Sequence, residues 1–376
     1  MLAIENLSGS EGILTEMEKR SATNDYNEFI SLYEQLEQQG AINPQKLLDA
    51  SREVTLDQLD RGLAIKDPLT LLIDKYLRLP NICDPSVPIG PDNEGDVVLF
   101  ESGQLNPNLP ASRKTYEEIG ENLRIFSNEI SKKVAGEGFP FVFDKAATLD
   151  RALVNYMLNT HIKNGYKEIV APTTVNERSM FNTGAFPAYG KKSFHIEDTD
   201  LFLNPTIEVQ QTNLLRNVHF ISPTALPLRL VGYSRSFRIE DKPMTTYTTL
   251  HEFGKVEIFV ATKHEEWKEE YKRALGSVEE MLSKLELPFR KVLLCSGSLG
   301  QGQALVHDYY VYAPGSDKWW EVASCAYNGD FSSRRMNATY LDENNKVKYV
   351  DTLHITAVSI PRMVSAILEN YQLKNG

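Results

Sequence analysis

Cysteine is scarce in this 376-residue chain. Its three thiols, Cys83, Cys295 and Cys325, are too widely spaced for a disulfide framework or a zinc pattern. Cys295 and Cys325 lie in apolar, strand-like runs, where a thiol is ordinarily a small buried hydrophobe. No apolar run approaches the length of about eighteen residues that a membrane-spanning helix needs. The first residues carry acids and no basic stretch ahead of an apolar one, so a secretory leader is not expected and the expected location is cytoplasmic. Positive charge is in deficit, with 40 Lys/Arg against 51 Asp/Glu and a net charge of −11. A chain that grips nucleic-acid backbones needs a basic footprint, so this balance weighs against one. Gly-rich phosphate loops are missing too: SGSLGQGQ follows a strand-like run but lacks the GK[ST] ending and the GxGxxG spacing, and reads as a plain loop. No a/d heptad persists, which excludes a coiled coil.

What is present falls into three stretches. Residues 1–23 lack periodicity and are expected to be a flexible N-terminus. Residues 24–78 read as a small acidic helical bundle. Asn24 is placed to cap NDYNEFISLYEQLEQQ, whose Phe29, Tyr33 and Leu36 form a stripe ended by Gly40. Asn43–Pro44, the Thr55/Gln58 capping box and Asp67–Pro68 open further helices. Residues 1–80 hold 8 Lys/Arg against 14 Asp/Glu, a poor surface for RNA. From residue 79 to 376 a Pro/Gly-rich crossing segment leads into strands joined mostly by hairpins, with helices at Thr115–Val134, Ala147–Asn164 and His264–Leu285. That order predicts an α+β core, an antiparallel sheet with helices packed on one face.

The most informative stretch runs from Ser234 to Phe259. Its arms, ending SRSFRIE and beginning HEFGKVEIF, alternate apolar and polar residues, and DKPMTTYTTL between them has the composition of a loop. Arg238 and Glu240 share a strand face and look across at Phe253 and Glu257. A cation, carboxylates and an aromatic ring on one sheet face suit a nucleotide and a small amphoteric substrate. A surface salt bridge on an amphipathic sheet is the other reading of the hairpin taken alone.

Over residues 79–372 the chain resembles the seryl-tRNA synthetases, class II aminoacyl-tRNA synthetases of the bacterial type. GYKEIVAPTTVNERSMFNTG resembles the first class II motif, LNPTIEVQQTN the TxE loop, and SFRIE with HEFGKVEIF the second motif. EVASCAYNGDFSSRRMN resembles the metal-and-serine segment, and TLHITAVSIPRMVSAILENYQ the third motif. The resemblance implies ATP-dependent activation of a small amino acid, with Arg238, Arg362 and Glu321 as the catalytic groups. It implies Arg238 on the α-phosphate and the substrate carboxylate, where a bidentate guanidinium suits both. Arg362 is implied on the γ-phosphate and Glu321 with Ser324 on Mg²⁺, hard ligands for a hard cation. Phe253 is implied under adenine with Glu240 on its amino group, Thr206 and Glu208 at the substrate ammonium, and Glu257 with Thr356 at its hydroxyl. A homodimer through the first motif, around Pro172, is also implied. Arg362 at a helix start is unfavourable for the helix dipole, which favours a functional reading.

Departures from the family pattern shape the expected acceptor. The hairpin loop is shorter than usual, and Thr248–Thr249 stands where a second loop arginine is normal. In the third motif His354 replaces an asparagine of the serine pocket, and Ala357 and Pro361 replace glycines; added volume in a tight pocket costs about 1–3 kcal/mol where it clashes. The imidazole of His354 adds a titratable group there. An acidic bundle stands in place of the long tRNA-gripping arm. The leading expectation is activation of serine or a similar small amino acid with transfer to a carrier protein or small molecule, tRNA not being the expected partner. The alternatives are a catalytically inactive interaction protein and a divergent serine–tRNA ligase.

Overall fold

The structure, a computed structural model, describes residues 1–3, 11–188, 190–222, 224–240 and 247–373. The shortened hairpin turn expected from the sequence falls on residues 241–246, outside the described residues, although Thr248 and Thr249 are within them.

The N-terminal helices are α1 (Glu11–Lys19), α2 (Thr23–Gln38), α3 (Pro44–Glu53), α4 (Leu56–Ala64) and α5 (Pro68–Arg78). Asn43 Oδ1 accepts from Lys46 N at 2.9 Å ahead of Pro44, which starts α3 in the position proline favours. Thr55 and Gln58 form the reciprocal capping box of α4, with Thr55 N donating to Gln58 Oε1 at 2.9 Å and Gln58 N to Thr55 Oγ1 at 3.2 Å. Asp67 caps α5 through Thr70 N at 2.8 Å. Asn24 does not cap α2: the helix starts at Thr23, two residues earlier than such a cap would set it, behind Ala22 with no side-chain cap. Residues 11–19, expected to be loose, form α1, because Ile13 and Met17 give it a face that packs into the bundle.

That bundle has no core of its own. Phe29, Leu47, Leu72 and Leu77 share one apolar cluster with Phe181, Phe186, Phe202 and Val209 from the following region. Burying each large apolar side chain stabilises by about 1.5–3 kcal/mol, so the bundle and that wall hold each other in place.

The described residues build an eight-stranded sheet from β1 (Val97–Ser102), β2 (Lys167–Ile169), β3 (Leu228–Phe237), β4 (Glu252–Thr262), β5 (Phe289–Leu293), β6 (Leu305–Ala313), β7 (Lys318–Gly329) and β8 (Asp351–Ser359). The spatial order is β1-β5-β6-β7-β8-β4-β3-β2, antiparallel throughout except for the β2–β3 pair. Helices Asp144–Lys163, Trp267–Lys284 and Ile360–Asn370 cover one face through Met157, Val278, Met281 and Met363. Alternation assigns the other face to chemistry: Val256, Ile258 and Val260 of β4 join the helix-side core, which turns Phe253, Lys255 and Glu257 to the opposite side. The helix expected over Thr115–Val134 is two, Tyr116–Leu123 and Asn128–Val134, because Arg124 turns left-handed (φ 55°) and Ser127 caps a new start through Ile130 N. Among the described residues no helix is long and apolar enough to cross a membrane.

Candidate active site

The open face of the sheet carries two cavities that meet at Arg238. Arg238 follows the end of β3, where its backbone N donates to His251 O at 2.9 Å and its Nε to Pro205 O at 3.2 Å. Its guanidinium lies 5.4 Å from the centroid of Phe253, a cation–π distance.

The first cavity, about 190 Å³, is lined by Arg238, Glu240, Thr248, Thr249, Phe253, Lys255, Glu321, Thr356 and Arg362 among others. One wall is aromatic and the opposite end is charged. Arg362, in the first turn of its helix after Pro361, donates to Glu321 O at 2.9 Å and pairs with Glu321 Oε2 at 3.2 Å. Its Nε donates to Thr248 O at 3.4 Å. Behind Glu321, Ser324 sits opposite Asp308 in the β6–β7 register. Burial and the nearby Glu321 push the Asp308 carboxyl up to about 8, with Ser324 opposing, and its Oδ1 is buried with no partner. Oxygen donors with an orphaned buried oxygen among them suit a hard divalent cation. No group of three Cys, His, Asp or Glu side chains is gathered for a metal among the described residues.

The second cavity, about 280 Å³, is lined by Thr206, Glu208, Arg238 and His354, with Gly300–Gln303 on one side and Ala326, Asn328 and Ser332 at its buried end. The Asn328 Oδ1 has no partner there. Between the two cavities lies a buried charge cluster. Lys255 Nζ lies 2.6 Å from Glu257 Oε1, and the two are two residues apart on one strand face. Thr206 Oγ1 donates to Glu257 at 2.8 Å, Ile207 N at 3.1 Å and Thr356 Oγ1 at 3.2 Å. His354 lies between two carboxylates, with Nδ1 3.1 Å from Glu208 Oε2 and Nε2 2.9 Å from Glu257 Oε1, and Nε2 makes no aligned hydrogen bond. Gly232, opposite Glu257 across β3–β4, leaves room for the Thr206–Ile207 turn; a Cβ there would lie 2.8 Å from Ile207 Cδ1. Burial alone would raise the Glu257 carboxyl, yet Lys255 and His354 hold it well below the usual carboxylate range. Lys255 is pulled below its ordinary value by burial, with Arg238 adding to the effect and Glu257 opposing it.

The expected site residues gather about these two cavities, except that Ser324 lines neither and lies opposite Asp308 in the β6–β7 register. Thr206, Glu208, Arg238 and His354 line the larger cavity, and Arg238, Glu240, Phe253, Glu321, Thr356 and Arg362 the smaller. Glu257 lies in the floor between them with 0% exposure, its oxygens already engaged by this chain's own donors. The sequence reading passes over Lys255, Asp308, Asn328 and the 300–303 wall. A lysine in HEFGKVEIFV and an acid in HDYYVYAP, each inside a run that otherwise reads as buried strand, are the available signals.

A sheet of this order with two cavities meeting at one arginine on its open face is the class II synthetase architecture. Residues 193–371 match the tRNA synthetase class II core domain (G, H, P, S and T). Within that class the similarity is specific. The chain is 38% identical over 304 residues to a serine–tRNA ligase of Mycoplasmopsis agalactiae, covering 80% of this chain and 72% of that one. It is 34% identical over 344 residues to that of Pelagibacter ubique, covering 88% and 81%. The crystal structure of seryl-tRNA synthetase from Pyrococcus horikoshii complexed with ATP superposes with a TM-score of 0.84 at 27% identity, covering 99% of this chain and 94% of that one. The chain belongs to the serine–tRNA ligase family of class II ligases.

Proposed function

We propose that the chain uses ATP to activate serine as seryl-adenylate and passes the acyl group to tRNA. The observation that carries the reading is Arg238 at the junction of the two cavities, Phe253 and Arg362 on one side and Thr206 and Glu208 on the other. A carboxylate oxygen of the amino acid attacks the α-phosphorus, the bond to the β-phosphate oxygen breaks, and pyrophosphate leaves. Arg238 reaches both reacting groups and stabilises the charge that builds between them. Arg362 meets the departing phosphates, and Phe253 offers a face to the base with Glu240 at its edge. Thr206 and Glu208 take the ammonium. Glu321 and Ser324, with Asp308 behind them, would hold Mg²⁺, which would supply charge neutralisation to the phosphates. Glu257 orders Thr206, Lys255 and Thr356 around the substrate. Pairing of two chains through the first motif is part of this reading, supported by Val170 at 94% exposure beside the edge strand β2.

The acceptor is where the sequence and the relatives pull apart. The acidic N-terminal helices and Thr249 point away from tRNA, toward a carrier protein or a small molecule. The relatives carry more weight, since they are serine–tRNA ligases aligned over 72–81% of their own length. Serine-dependent ATP–pyrophosphate exchange tests the first step, and charging of total tRNA tests the second. Arg238→Ala should lower exchange on the order of 10²–10³-fold, the usual cost of one such group. Retained exchange in that variant would show that the reaction runs elsewhere. Exchange without tRNA charging would return the acceptor to the carrier reading.

A further inference from the structure

We propose that the N-terminal helical bundle is a working part of the amino-acid cavity, with Arg20 the positioning residue that holds its Leu299–Gln303 wall. Arg20 follows α1 and lays its half-buried guanidinium against the 299–303 loop. Nη1 donates to Asn81 O at 3.2 Å and Gln303 O at 2.9 Å; Nη2 donates to Leu299 O at 3.0 Å and Gly300 O at 2.8 Å. These acceptors are neutral carbonyls, and burial lowers the affinity of the guanidinium for its proton. A planar fork of fixed donors here serves geometry and not charge pairing.

The segment it holds has little structure of its own. Gly300 N donates to Gln303 Oε1 at 2.6 Å and Gln303 N to Gly300 O at 3.1 Å, which closes a small turn. Its other ties run outward to the end of the bundle and the residues just after it. Asn81 N donates to Gln301 O at 2.7 Å, Gln301 Nε2 to Leu77 O at 2.6 Å and Asn81 Nδ2 to Gly302 O at 3.0 Å. Gly300, Gln301, Gly302 and Gln303 face Thr206, Glu208 and His354 across the larger cavity and do not line the smaller one. The opposite shoulder, Thr183–Ala188, is anchored to the same bundle, because Arg335 donates to Phe181 O, Phe186 O and Leu77 O. A wall displaced by about 1 Å costs a positioned reaction up to two orders of magnitude. Amino-acid binding therefore depends on Arg20 while ATP binding does not.

The inference rests on the adenylation reading for its kinetic arm only, and a second arm is independent of activity. Arg20→Ala and Arg20→Lys are made in the full chain. Arg20→Ala is expected to raise the exchange KM for serine tenfold or more and to leave that for ATP within twofold. Arg20→Lys falls between, since an ammonium lacks the fork that spans these carbonyls. Amide hydrogen exchange of the 296–304 peptide is expected to speed up at least tenfold in Arg20→Ala, with peptides of β4 and β8 unchanged. If wild type exchanges and both variants keep the serine KM within twofold, the proposal fails while the adenylation reading stands. Wild type with no exchange for any amino acid would instead defeat the adenylation reading, and the 296–304 peptide would still decide this one. Should Arg20→Ala not fold, the lysine variant decides by the same two readouts. Unchanged protection of that peptide overturns the proposal in every case.

Discussion

Replacing Lys255 by methionine removes the cation from the buried charge cluster between the two cavities. At 2.6 Å and an effective dielectric of about 20 the pair attracts by roughly 6 kcal/mol, and removing each ion from water costs several kcal/mol. The intact pair is thus close to neutral for stability. Breaking it is not, because Glu257 keeps 0% exposure and loses its nearest counter-charge. One-sided removal of a buried partner costs about 3–5 kcal/mol, and the remaining donors from Thr206, Ile207 and Thr356 argue for the lower end. For a 376-residue chain about 3 kcal/mol corresponds to a Tm lower by roughly 4 °C. The assay is urea unfolding of wild type, Lys255→Met, Glu257→Gln and the double variant. The double variant should recover at least about 2 kcal/mol relative to the sum of the single changes. The pH dependence has a definite sign. Glu257 is held below its usual range, so its contribution is present above about pH 4.5 and is lost as pH falls through its folded value. In Lys255→Met that carboxyl rises, and the gap to wild type narrows by up to about 1.4 kcal/mol per pH unit between pH 7 and 5. A Lys255→Met cost below about 1 kcal/mol, or additive single changes, would refute the argument.

Phe253→Ala should raise the exchange KM for ATP about five- to a hundredfold, from roughly 1–3 kcal/mol of lost base stacking, with the serine KM within twofold; equal effects on both would take Phe253 away from the base. His264 is raised above its ordinary value mainly by its hydrogen bond to Asp351 at 2.9 Å, with burial opposing. That contribution is fully present below about pH 6.5 and is lost as pH rises through the raised value. The side chain is 65% exposed, so solvent screening limits it to about 1 kcal/mol or less. Urea midpoints of His264→Asn should converge on wild type above pH 8, and a constant gap from pH 6 to 8 would remove the ion pair as the cause.

The hairpin arms were legible because alternation carries both fold and chemistry. Placing Val256 and Ile258 against the helices forces Lys255 and Glu257 to the other face, whatever they bind. The caps of α3, α4 and α5 were legible because each needs only neighbours within three residues. What stayed hidden depends on distant partners. Arg20 meets carbonyls more than sixty residues away by number, and nothing local to SEGILTEMEKRS announces it. Residues 11–19 look loose for the same reason, since the face that orders α1 is supplied by other helices. The loop at 299–303 resembles no phosphate cradle, correctly, but its part in the cavity wall follows from what grips it and not from its composition.

The relation between bundle and cavity bears on the acceptor. An acidic bundle reads as evidence against tRNA only if its task is to meet RNA. Here its apolar side is shared with Phe181, Phe186 and Phe202, and its end ties down the 299–303 wall. On the proposal above, a bundle engaged in this way serves the activation step whichever nucleophile follows. Its charge therefore weighs less against tRNA than Thr249 does, which lines the nucleotide cavity itself. The exchange assay examines what the bundle supports, and tRNA charging examines what the hairpin loop admits. Loss of serine binding in Arg20→Ala together with tRNA charging by wild type would assign the bundle to activation and leave RNA recognition to the rest of the molecule.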